Sequence, residues 1–325
     1  GGGTTLTSGV LAVNNNTALG TGDLTIDGTN THLGTDVAGV ILDNNITTIG
    51  YCSWHIGGDS LTLNGKINLG DVGGNVLVYS NATIALNGDI SGAGGLTLAS
   101  EAGTGTLTLT GNNSYTGETT IENGILRVAS NTALGQSAII FDSDKGEGQE
   151  ATLYASGART LNNGFSVGKG TSEIRLGGAT AADTLTLSGR GRLYDPVTIN
   201  ISGAGNVVIS GNMRESFTSF GAITLESTGT GSLTLSGTNV YSGYTTLMAG
   251  TLIAGSSSYV QQGVTLGPFG NNKLVISGGN IGASGAQTVD IPVELRGDCA
   301  IGGATASDIL TLSGLVELSA ADHSI

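Results

Sequence analysis

Apolar and polar residues alternate over short stretches of this chain, and the alternation is clearest between Gly105 and Gly135. In Thr106-Leu107-Thr108-Leu109-Thr110 the leucines fall on one face of an extended strand and the threonines on the other, because successive side chains point to opposite sides. The pattern predicts a strand with Leu107 and Leu109 turned inward. Gly111 to Gly117 (GNNSYTG) predicts a corner shaped by Gly111, Asn113, Tyr115 and Gly117, since Gly and Asn tolerate the left-handed backbone angles of a sharp turn. A strand over 119–122 then places Ile121 inward. Gly124 makes the next corner, and a third strand carries Leu126 and Val128 inward with Arg127 outward.

The segment returns. Thr4 to Val13 aligns with Thr119 to Val128, and Asn16-Thr17-Ala18-Leu19-Gly20 reappears as Asn131-Thr132-Ala133-Leu134-Gly135. A further copy runs from Gly231 through Leu247 and on to Leu252, with Leu233, Leu235, Leu247 and Leu252 as its inward positions and Gly237, Asn239, Tyr241, Gly243 and Gly250 as its corners. Gly177 to Gly189 likewise matches Gly302 to Gly314. The chain thus divides into about three super-repeats, approximately 1–104, 105–230 and 231–325, within one domain spanning 1–325.

An Asn-Gly pair between strands ordinarily signals an antiparallel hairpin, which makes a hairpin sandwich the second choice. Strands that keep arriving without helices, in units that recur and cannot bury an apolar face alone, point instead to coils stacked on one another. The expected fold is all-β, a right-handed parallel β-helix (β-solenoid) of roughly 13–16 coils at roughly 20–25 residues each. Two stretches interrupt the pattern and are expected to stand off it as loops, Asp142 to Glu150 and Met213 to Phe220. Loops on a regular scaffold are where recognition usually resides.

Composition narrows the function. Only 11% of residues are charged and 4% aromatic, with 57 glycines, against a charged share of about 25% in ordinary domains. The formal net charge is −14, and the 11 basic residues form no run, so a nucleic-acid partner is not expected. No apolar run approaches the roughly 20 residues of a membrane helix, so direct membrane insertion is not expected either.

The spacing GxLTLxGxNxYxGxTTxxxGxL, carried by Leu107, Leu109, Gly111, Asn113, Tyr115, Gly117, Thr119, Thr120, Gly124 and Leu126 and repeated from Leu233 to Leu252, resembles the passenger-associated transport repeat, also described as the autotransporter-associated β-strand repeat. The resemblance implies a passenger region of a bacterial autotransporter, extracellular or on the outer-membrane surface, serving as a stalk, scaffold or adhesin. It implies a host or matrix ligand as a partner. An extracellular filament of β-helices stacked end to end is the alternative function, followed by a polysaccharide-acting enzyme.

Catalysis is not expected, because clustered carboxylates are missing and Arg190, Arg192 and Asp195 form the only local group of mixed charge. No cofactor is expected. The one candidate metal site is a calcium cluster of Asp142, Asp144, Glu147 and Glu150, although Gly146 and Glu147 depart from the D-x-D-x-D-G spacing. Cys52 and Cys299 share the inward parity of their strands and are expected as separate buried thiols, with Trp54 on the same face as Cys52. His32, His55 and His323 lack metal-ligand spacing. Both ends of the sequence lie inside a repeat, so further coils, of a longer chain or of neighbouring subunits, are the expected partners there.

Overall fold

A computed structural model of the chain describes residues 2–49, 54–71, 75–79, 83–99, 105–142, 150–217, 220–302 and 307–319, without side chains at 54, 55, 75 and 79. The chain is all-β, and its parallel stacked strands form a β-solenoid of about 12 turns. Two compact units, Gly1–Tyr154 and Ala155–Ile325, divide it.

In the first unit each turn visits three parallel ladders. One joins Thr4–Leu6, Leu24–Ile26, Ile46–Thr48, Ile67–Asn68 and Ile90–Ser91. The other two run through Thr31–Thr35 to the start of Thr119–Val128, and through Val40–Leu42 to the end of that same strand. The register places like on like. Leu33, Ile56, Val78, Leu98, Ile121 and Phe141 form one continuous column, and Leu42, Leu63, Leu86, Leu109 and Val128 form another. Every one of these side chains is buried. A strand residue can bury itself only on one face, so the two-residue period of the sequence becomes the wall of a thin aliphatic core.

The corner at Asn123-Gly124 is tighter than a loop. Thr119–Val128 runs as one strand of 10 residues whose halves pair in different ladders. Gly124 makes the switch at φ 88°, in the left-handed region that a Cβ disfavours.

The second unit repeats the plan. Leu161, Leu187, Ile209, Leu235, Ala254 and Ala283 stack in one ladder, and Ile199, Leu225, Leu247, Ile276 and Leu295 in another. Between Phe165 and Met213 only glycine fits: a Cβ on Gly191 would lie 2.5 Å from the Phe165 ring and 2.8 Å from Met213.

Three expectations change. The hairpin sandwich gives way, because every extended ladder but one among the described residues is parallel. The turn count falls below 13–16, because the coils lengthen: Thr4 pairs with Leu24, whereas Thr245 pairs with Leu274. Met213–Glu215 is not part of a loop but a ladder strand with Met213 fully buried.

Replacing Leu109 by Ala should lower stability by about 2–5 kcal/mol through the cavity it leaves between Leu86 and Val128. The outward Thr108→Ala should change it by less than about 0.5 kcal/mol. Urea unfolding of the two variants checks the pair; equal effects would refute the inward assignment of Leu109.

Candidate functional site

The repeat signature lies inside the fold. Leu107, Leu109, Ile121, Leu126, Val128, Leu233, Leu235, Leu247 and Leu252 are all at most 1% exposed. Tyr115 and Tyr241 are completely buried and are the largest such side chains. At the Asn113 corner the Ser114 N–H still reaches the Ile90 carbonyl at 2.8 Å, and the Asn113 side chain supplies bonds that the backbone does not. Asn113 Oδ1 accepts from the Ile90 N–H at 2.8 Å, while Nδ2 donates to the Ala133 carbonyl at 2.6 Å. One carboxamide, with a peptide's donor and acceptor, therefore ties the coil below to the coil above. Asn239 does the same between the Met213 N–H at 2.7 Å and the Pro268 carbonyl at 2.6 Å.

The tyrosine completes each staple. Tyr241 donates its hydroxyl to Thr245 Oγ1 at 2.6 Å, since that oxygen spends its own hydrogen on the Phe269 carbonyl at 2.9 Å. Tyr115 and Thr119 meet at 2.5 Å. Burial raises both phenols well above the ordinary value, so they stay protonated. The next coil lays a glycine over each ring: a Cβ on Gly135 would touch Tyr115 at 3.0 Å and one on Gly270 would touch Tyr241 at 2.6 Å. Gly111, Gly117, Gly237 and Gly243 pass equally close to the backbone of the coil beneath, and Gly250 turns at φ 93°. These residues join one coil to the next.

The mixed-charge group at 190–195 does not assemble. Asp195 Oδ2 accepts from the Gly170 N–H at 2.9 Å and makes no ion pair with Arg190 or Arg192. Of the calcium candidates, Asp142 and Glu150 are half-buried, and Asp144 and Glu147 lie outside the described residues. Among the described residues no three His, Cys, Asp or Glu side chains come together. Cys299 is a buried free thiol whose ionisation burial disfavours; Cys52 and the Trp54 side chain lie outside the described residues. The backbone register sets His55 opposite His32.

A feature the sequence pattern did not reveal stands on the second unit. Tyr259–Gln261 and Val264–Leu266 form an antiparallel hairpin closed by Gln262 and Gly263, both at positive φ. Tyr259, Val260 and Val264 are exposed. Between the hairpin and the coils lies a groove of about 340 Å³ that Arg190, Arg214, Asn212, Thr238, Tyr259 and Gln261 help to line. The signal was present in copy spacing: Gly135 follows Val128 by 7 residues, whereas Gly270 follows the equivalent Ala254 by 16. The inserted residues build the hairpin.

A second polar cluster is self-contained. Glu294 accepts from Arg296 Nε at 2.6 Å and Lys273 Nζ at 3.0 Å, and Lys273 also reaches Glu317 at 3.2 Å. The Arg296 bond, then the Lys273 bond, hold the Glu294 carboxyl at about 2.

The passenger-associated-transport-repeat family matches residues 101–128 and 225–254. Over 273 residues, 80% of its length, the chain is 33% identical to the adhesin BmaC autotransporter of Brucella suis, of which it spans 7%. No solved structure matches significantly. Neither match speaks for a filament of stacked subunits.

Asn113→Ala should cost about 1–3 kcal/mol for each of the two backbone groups it strands. Chemical unfolding checks this, and a neutral result would exclude the staple. The Glu294 cluster gives a pH test. A carboxyl lowered from 4.5 to about 2 stabilises the fold fully above pH 4.5 and loses that contribution as pH falls toward 2. The melting-temperature gap between the wild type and Glu294→Gln should accordingly be constant near neutrality and close across that window.

Proposed function

Since this chain belongs with the passenger-associated-transport-repeat regions of bacterial autotransporters, we propose that it serves as a non-enzymatic β-solenoid segment of an adhesin displayed at the bacterial outer surface. The coils act as a scaffold, and excursions from them carry recognition. The observation behind this reading is the burial of the repeat signature: with Asn113, Tyr115, Asn239 and Tyr241 committed to joining coils, only departures from the repeat remain to meet a partner. The hairpin at Tyr259–Leu266 is a departure that joins exposed apolar side chains, Tyr259, Val260 and Val264, to an adjoining groove. A hydrolase reading has no comparable support, because Asp195, the carboxylate of the mixed-charge group, is engaged with backbone.

The test is to display the intact chain on a non-adherent bacterium and measure attachment to cultured host cells. A second variant replaces Gly255 to Pro268 with the shorter connection found between Val128 and Leu134, which the homologous coil already tolerates. The intact chain should confer attachment, and the variant should keep its circular dichroism spectrum while losing attachment about tenfold, equivalent to about 1.4 kcal/mol. Absence of attachment by the intact chain refutes the adhesin reading; undiminished attachment by the variant refutes the role of the hairpin.

A further inference from the structure

The groove beside the hairpin holds positive charge that the scaffold leaves unanswered. The chain has 25 acidic residues against 11 Lys and Arg, so carboxylates outnumber cations more than twofold. Yet among the described residues Arg190, Arg192 and Arg214 make no ion pair. The nearest carboxylates in sequence are otherwise occupied. Asp195 accepts from Gly170, and Glu215 Oε2 accepts from the Gly221 N–H at 2.9 Å and from Ser242 N–H and Oγ at 3.2 and 2.8 Å.

The ladder sharpens the point. Arg192 lies directly opposite Arg214 in a parallel pair, on the outward face. Like-charged side chains on strands about 4.8 Å apart along the hydrogen-bonding direction oppose folding. The same fold shows how such a pair is usually relieved: Glu294 lies opposite Glu317, and Lys273 bridges both. The arginine pair has no such bridge. Arg214, one member of the pair, lines the groove together with Arg190, so an anion bound there would offset its charge.

We infer that this groove binds a sugar chain bearing carboxylates, of the uronic-acid class. Guanidinium groups take a carboxylate through two parallel hydrogen bonds. Asn212, Gln261 and Thr238 offer donors and acceptors suited to sugar hydroxyls, and the exposed ring of Tyr259 offers a flat apolar face against which a sugar ring can stack. The volume of about 340 Å³ falls in the range of about 300–1,000 Å³ usual for small-ligand sites. Charge selects among anionic glycans. A net charge of −14 repels a densely sulfated chain more strongly than one with a single carboxylate on every second sugar. The inference rests on the adhesin reading and supplies its ligand class.

Calorimetric titration of the intact chain with a hyaluronan hexasaccharide, which carries carboxylates and no sulfate, tests it. The controls are a neutral chitin hexasaccharide, a heparin hexasaccharide and a short poly-glutamate peptide. Hyaluronan should bind, more weakly as salt is raised, and the neutral sugar should bind about tenfold more weakly or not at all. Arg214→Gln and Tyr259→Ala should each lower the affinity about tenfold, while Arg214→Gln leaves the melting temperature of the free chain unchanged or higher because it removes the like-charge pair. If either variant fails to fold, Arg190→Gln, in a residue outside any strand, takes its place. No binding of hyaluronan, equal binding by the variants, or tighter binding of heparin or the peptide overturns the inference. A chain that confers cell attachment but ignores hyaluronan refutes the ligand class and leaves the adhesin reading standing.

Discussion

The backbone ladder between successive coils is the constraint on which everything else in this molecule depends. A single coil of some twenty residues buries almost nothing by itself, so each strand must find its hydrogen-bond partners and its apolar neighbours in the coils on either side. Parallel pairing in strict register then places each inward residue on an equivalent one, as in the column from Leu33 to Phe141. The low aromatic and high glycine content follow from this geometry: a thin core takes aliphatic side chains, and corners crossing at van der Waals distance exclude a Cβ, as at Gly135 and Gly270.

The family signature solves a problem that the ladder creates. Where the chain turns too sharply to continue a strand, backbone groups of the neighbouring coils would be left buried without partners, at a cost of about 1–3 kcal/mol each. Asn113 and Asn239 remove that cost by substituting a side-chain amide for a peptide unit, and the tyrosine fills the space the turn opens. The motif thus answers the demands of stacking one coil on the next.

Function then falls to whatever departs from the repeat. The hairpin at Tyr259–Leu266 is tolerated because it leaves between two ladder strands, Thr251–Ala254 and Leu274–Ile276, whose pairing to their neighbours is undisturbed. Its groove joins exposed apolar groups to unpaired arginines, whereas the charged cluster around Glu294 satisfies itself.

The sequence by itself determined the repeating strand and corner pattern, the inward leucines and the passenger-repeat resemblance, because a period of two and a chain-wide repeat are both local signals. It also led from Gly111, Asn113 and Tyr115 to a corner, though not to the burial of that corner. Only the tertiary structure decided which carbonyl and N–H the Asn113 amide joins, since those groups, on Ala133 and Ile90, belong to different coils. The same holds for the surface. Arg192 and Arg214 are unrelated in sequence and become neighbours because coil length, including every irregular residue in the intervening corner, sets the register that brings them together.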